Sequence, residues 1–158
     1  SSIHGDLSRL VAIHDVIDQH FQEGDRLVYL GNFMGYGDQI GDVIDEMLAF
    51  RRHIMGRFIL FPHDIAYLRG AQEEMLERTL QLHFAKSPPS VLAWMLDHGL
   101  DGTLRAYGSS GQEAAKFARM SVSEIANYTV SLRSAIRALP GHYSLIMAFC
   151  QDSNREKV

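Results

Sequence analysis

Apolar positions recur every three or four residues over several stretches of the chain. Leu7, Leu10, Val11, His14, Ile17 and Phe21 predict an amphipathic helix that ends before Gly24, with Asp6 as its N-cap. Ile40, Val43, Ile44, Met47 and Leu48 predict a second helix that fades near Gly56. Met75, Leu76, Thr79, Leu80 and His83 predict a third. Pro89 or Ser90 opens a fourth, carrying Val91, Leu92, Trp94, Met95 and Leu96. Two more are predicted over 113–120 and 123–139, the latter stopped by Pro140-Gly141.

Between them lie short apolar runs without alternation, the pattern of strands covered on both faces. These are Arg26–Leu30, Arg57–Phe61, the shorter Ile65–Leu68, and Tyr143–Phe149. Gly99–Ser110 reads as turn-rich and 151–158 as a solvated turn. Strands alternating with helices predict a mostly parallel α/β arrangement, in which ligands sit at the carboxyl ends of the strands. Three strand-to-helix loops then gather at one edge: Ser2–Asp6, Gly31–Gly37 and Gly70–Glu73.

The 158 residues are 46% hydrophobic and 22% charged, which fits one domain over 1–158 with a packed core. No apolar run reaches the ~18 residues of a membrane span, so no membrane partner is expected. A single cysteine, Cys150, excludes an internal disulfide framework and a multi-cysteine metal site. That usage fits a reducing compartment, and the expected location is cytoplasmic. The net charge of −4 argues against a nucleic-acid partner, whose phosphates select clustered Lys and Arg.

The three loops carry a resemblance. Ser-Ile-His-Gly-Asp from Ser2, Leu-Gly-Asn-Phe-Met-Gly-Tyr-Gly from Leu30, and Leu-Arg-Gly-Ala-Gln-Glu from Leu68 resemble the first three motifs of the calcineurin-like metallophosphoesterases. The similar branch is that of the bacterial serine/threonine protein phosphatases and symmetrical diadenosine tetraphosphatases. The family patterns are Asp-x-His-Gly, Gly-Asp-x-x-Asp-Arg-Gly and Gly-Asn-His-Glu. Trp94–Gly108 is similar to the segment that this branch carries after its third motif. The resemblance implies a metallophosphoesterase-type β-sheet sandwich flanked by helices, here lacking the first strand and the C-terminal half. It also implies hydrolysis of a phosphate ester, from a phosphoprotein or a dinucleotide polyphosphate, by two divalent cations such as Mn²⁺. Two such metals stand ~3.5–4 Å apart and clamp the phosphoryl oxygens of an in-line displacement.

Position by position, the chain departs from that pattern. Ser2 stands where the first-motif Asp ligand belongs, and Asn32 where the bridging Asp belongs. Ala71 replaces the third-motif Asn ligand, and Gln72 replaces the His that acts as general acid. His4 keeps its ligand position, and Gly35 and Tyr36 replace an Asp and an Arg. Gly141-His142 lacks the second histidine of the family's last motif. A hydroxyl, an amide and a methyl cannot balance two metal charges as carboxylates do. The expectation is therefore a chain that binds these metals weakly or not at all and is catalytically inactive. The alternatives are a non-catalytic module that binds phospholigands or regulates, and part of an enzyme completed by another segment.

Several residues have simpler readings. Asn32 suits a turn that tolerates left-handed dihedrals. His63 and Asp64 are adjacent and read as structural. His14, His53 and His83 read as helix-face residues, Trp94 as buried, and the methionines as core filler. Glu73, Glu74 and Glu77 sit where a helix dipole favours carboxylates, with Glu73 structural at the helix start. The amides of Gly31–Gly37 are placed to cradle a phosphate, but without the Lys and Ser/Thr of a P-loop.

Overall fold

A computed structural model describes residues 2–109, 116, 117 and 119–151. The expected layout for 113–115 and 152–158 lies outside the described residues. Seven helices are numbered here: α1 Leu7–His20, α2 Ile40–Arg57, α3 Ala71–Leu80, α4 Pro88–Met95, α5 Asp101–Ala106, α6 Val122–Ala138 and α7 His142–Gln151. Strands β1 Leu27–Tyr29 and β2 Ile65–Tyr67 pair in parallel, Leu27 opposite Ile65 and Tyr29 opposite Tyr67.

The β-sheet sandwich is overturned. Of the described residues 67% are helical and 4% are strand, and the two strands form one small parallel sheet. The run from Arg57 is not a strand: Arg57 closes α2, and Ile59 and Phe61 are 78% and 61% exposed. Tyr143–Phe149 lies in α7, where Leu145, Ile146 and Phe149 share one buried face. An unbroken apolar run fits a buried helix as well as a strand, so periodicity alone does not separate them. Part of the stretch read as turn-rich forms α5.

The sheet is covered on one face only. Leu27 and Tyr29 are buried while Val28 between them is 48% exposed, which corrects the expectation of cover on both faces. On the covered face the Tyr29 and Tyr67 rings stack 5.2 Å apart, and Phe149 of α7 meets Tyr67 edge-on at 5.2 Å. Offset and edge-to-face contacts of this kind add about 0.5–1.5 kcal/mol each beyond the area buried.

Two buried histidines tie helices together. His14 of α1 stacks on Phe50 of α2 at 3.9 Å. Its Nδ1 lies 2.6 Å from Glu46, and Tyr29 Oη lies 3.2 Å from its Nε2. His142 joins α7 to α2 through Asp45 at 2.9 Å and to Tyr107, just after α5, at 3.0 Å. Asp6 caps α1 by accepting from the Arg9 N–H at 3.0 Å, as the sequence leads one to expect.

Candidate functional site

β1 and β2 end side by side, and the loops that follow them meet there. A Cβ on Gly31 would lie 2.2 Å from the Gly70 nitrogen, and φ at Gly31 is +84°. Only a glycine permits that approach and that dihedral together. The loop before α1 joins them: Asn32 O accepts from the N–H groups of Ile3 at 3.1 Å and His4 at 3.0 Å. His4 and Asn32 are the two non-glycine residues with positive φ among those described, at 49° and 58°. Left-handed backbone of that sort costs energy and persists where the surroundings dictate it.

The glycine loop holds an anion, and the anion is internal. Glu73 is fully buried, and its Oε2 accepts from the N–H groups of Asn32 at 2.8 Å and Gly70 at 3.0 Å. Its Oε1 accepts from Phe33 N–H at 2.9 Å. The Asn32 and Phe33 amides of the loop placed to cradle a phosphate are therefore spent on Glu73, and Gly35 N–H bonds to Thr103 Oγ1 at 3.1 Å. The structural reading of Glu73 at the start of α3 thus extends further, to tying together the two loops that follow the strands.

The residues singled out from the sequence divide. His4, Asn32 and Gln72 come together, whereas Ser2 and Ala71 are exposed at the margin. His4 Nδ1 lies 3.2 Å from Met34 O, which can only accept, so this nitrogen carries the hydrogen. Asn32 Oδ1 accepts from Gln72 N–H at 3.2 Å. The Gln72 carboxamide is 4% exposed; its Nε2 donates to His98 O at 2.9 Å, and its Oε1 has no partner. His63 lies 3.7 Å from Asp64 at the surface, where Asp64 also accepts from Phe61 N–H.

This donor set does not fit a pair of divalent cations. Among the described residues no three His, Cys, Asp or Glu converge on one point. Asn32 Oδ1 is used by a backbone amide, and both oxygens of the Glu73 carboxylate are used by four, those of Asn32, Phe33, Met34 and Gly70. A single imidazole nitrogen at His4 remains.

Beside the loops opens a cleft of about 360 Å³ lined by Tyr36, Gln72, Glu74, Arg78, Trp94 and His98, among others. Three elements shape it. The Tyr36 ring lies over Gly99, whose added Cβ would come within 2.7 Å of it. Trp94, on α4, is 55% exposed rather than buried, and its indole stacks on the His98 ring at 4.1 Å. It faces outward because Leu92 and Met95 take the buried side of that short helix. Arg78 pairs with Glu74 one turn earlier on α3 at 2.6 Å, both at the open rim. Exposed pairs of this spacing hold by about 0.3–0.5 kcal/mol, so the guanidinium exchanges easily to a stronger anion. His98 Nδ1 is committed to Trp94 O at 2.7 Å.

No helix among the described residues is long and apolar enough to cross a membrane. Sequence reasoning missed this cleft because its walls come from three stretches that only packing brings together, Tyr36, 71–78 and 94–98. The close spacing of Trp94 and His98, one helical turn apart, was the available signal. Compared with models of protein families, with curated proteins and with solved structures, the chain matches none.

Proposed function

We propose that this is a phosphoesterase-type chain without turnover, which captures a phosphorylated ligand in the cleft between α3 and α4. One observation carries the reading. Where the loops meet, both Glu73 oxygens and Asn32 Oδ1 are consumed internally, while the neighbouring cleft presents an exchangeable guanidinium at Arg78. Hydrolysis needs a polarising centre and a proton donor for the leaving oxygen. Gln72 donates only amide hydrogens, one of them to His98 O. A phosphate, by contrast, outcompetes Glu74 for Arg78, since two charges and a bidentate geometry exceed one exposed carboxylate.

Calorimetric titration with phosphoserine peptide in the presence of EDTA tests this, alongside a phosphatase assay with Mn²⁺. Saturable binding without metal, weakened about tenfold or more in Arg78→Gln, and no Mn²⁺-dependent release of phosphate are expected. Turnover that depends on Mn²⁺ would overturn the reading, as would phosphate binding indifferent to Arg78.

A further inference from the structure

A phosphate that takes Arg78 leaves a second charge to settle. The Arg78 guanidinium donates to Glu74 Oε1 at 2.6 Å, so the incoming anion displaces a carboxylate that lines the same cleft. Two anions side by side repel, and the repulsion is relieved when the ligand brings a positive charge of its own. Glu74 and Arg78 stand one turn apart on α3, which separates their Cβ atoms by about 5–6 Å. A phosphate and a cation two carbons apart on one ligand can meet both members of the pair.

The aromatic lining decides which kind of cation. Tyr36 and Trp94 both line the cleft and are 62% and 55% exposed, yet each ring is backed by the protein. Tyr36 rests on Gly99, where an added Cβ would come within 2.7–2.8 Å of its outer ring carbons, and the His4 ring meets it edge-on at 5.5 Å. Trp94 stacks on His98 at 4.1 Å, and His98 Nδ1 is held on Trp94 O at 2.7 Å. Two braced rings with free surface attract cations through their π faces, tryptophan most strongly. A quaternary ammonium gains most there, because it has no N–H to hydrate, whereas a primary ammonium is strongly hydrated.

We propose that the cleft binds a phosphoester of the phosphocholine type, its phosphate on Arg78 and its quaternary ammonium against Glu74 and the Tyr36 and Trp94 rings. This rests on the capture of phosphate by Arg78 and adds the positive charge that the displaced Glu74 requires.

Calorimetry on the unmodified chain, with EDTA present, compares phosphocholine with 3,3-dimethylbutyl phosphate, which has the same shape with carbon in place of nitrogen. Phosphocholine is expected to bind about tenfold or more tightly, and phosphoethanolamine and choline are each expected to bind more weakly than phosphocholine. Glu74→Gln should tighten the neutral ester, since the carboxylate no longer competes for Arg78, and weaken phosphocholine. Trp94→Leu should bring the two esters within about threefold of each other. Binding to phosphatidylcholine vesicles but not phosphatidylglycerol vesicles would assign the headgroup of a lipid, and binding of soluble phosphocholine alone the free ester. Equal affinity for the two esters, a preference for phosphoethanolamine, or choline bound as tightly as phosphocholine would overturn the site. The comparison of esters needs no variant, so it decides even where a substitution unfolds the chain. Equal affinity for the esters leaves phosphate capture by Arg78 standing, whereas failure of both to bind removes that reading and this one together.

Discussion

Glu73 holds its place through hydrogen bonds alone. Among the described residues no cation pairs with it; its charge is spread over the N–H groups of Asn32, Phe33, Met34 and Gly70, which belong to two different loops. Glu73→Gln removes the charge and turns one acceptor into a donor facing an N–H, so a loss of about 1–3 kcal/mol is expected in urea unfolding. A second residue sets a pH dependence. Burial holds the His14 imidazole below its ordinary value of 6.5, against the opposing pull of Glu46. In the neutral ring Nδ1–H donates to Glu46 and Nε2 accepts from the Tyr29 hydroxyl, so both nitrogens are satisfied without charge. The unfolded chain takes up this proton first as pH falls. Stability from His14 is therefore present above 6.5 and is lost as pH drops through the folded-state value. Denaturation series between pH 8 and 5 should show a decline that is shallower in His14→Gln.

Elements here are held by caps and close approaches that have definite signatures. α6 opens with a reciprocal box: Ser121 Oγ accepts from Glu124 N–H at 3.3 Å, and the Glu124 carboxylate accepts from Ser121 N–H at 2.7 Å. Ser121→Ala should cost about 1 kcal/mol in chemical denaturation, as loss of an N-cap does elsewhere. α5 packs on the glycine loop so closely that a Cβ on Gly102 would stand 1.9 Å from Gly35 O. Gly102→Ala must push the helix off the loop, and a destabilisation of about 2 kcal/mol or more is expected in urea unfolding. The cap of α1 at Asp6 and the glycine punctuation were legible in the sequence because both are local, whereas the Ser121 cap of α6 was not singled out. Strand against helix in Tyr143–Phe149 was not, since an apolar run carries no period that separates the two.

At the scale of the whole molecule, a sheet of two short strands cannot stand alone, and helices supply its cover. Phe149 of α7 is fully buried, with ring centroids 5.6 Å from Phe33 and 5.2 Å from Tyr67, so it links α7 to the loop after β1 and to strand β2. Phe149→Ala should lower stability by about 3–5 kcal/mol, measured by thermal or urea unfolding. The amino-acid order by itself determined the extent of α1, α2 and α6, the presence of α3, the two strands at Leu27–Tyr29 and Ile65–Tyr67, and the roles of Asn32 in a turn and Glu73 at a helix start. Each of these follows from spacing, capping or turn chemistry within a few residues, whereas His4 and Gln72 were singled out by the resemblance alone. Only the tertiary structure decided that the sheet stays at two strands, that Glu73 spends the loop amides, and that Trp94 faces a cleft. These depend on which surface remains to cover a residue once every other element has packed. That is a property of distant partners, which local periodicity does not encode.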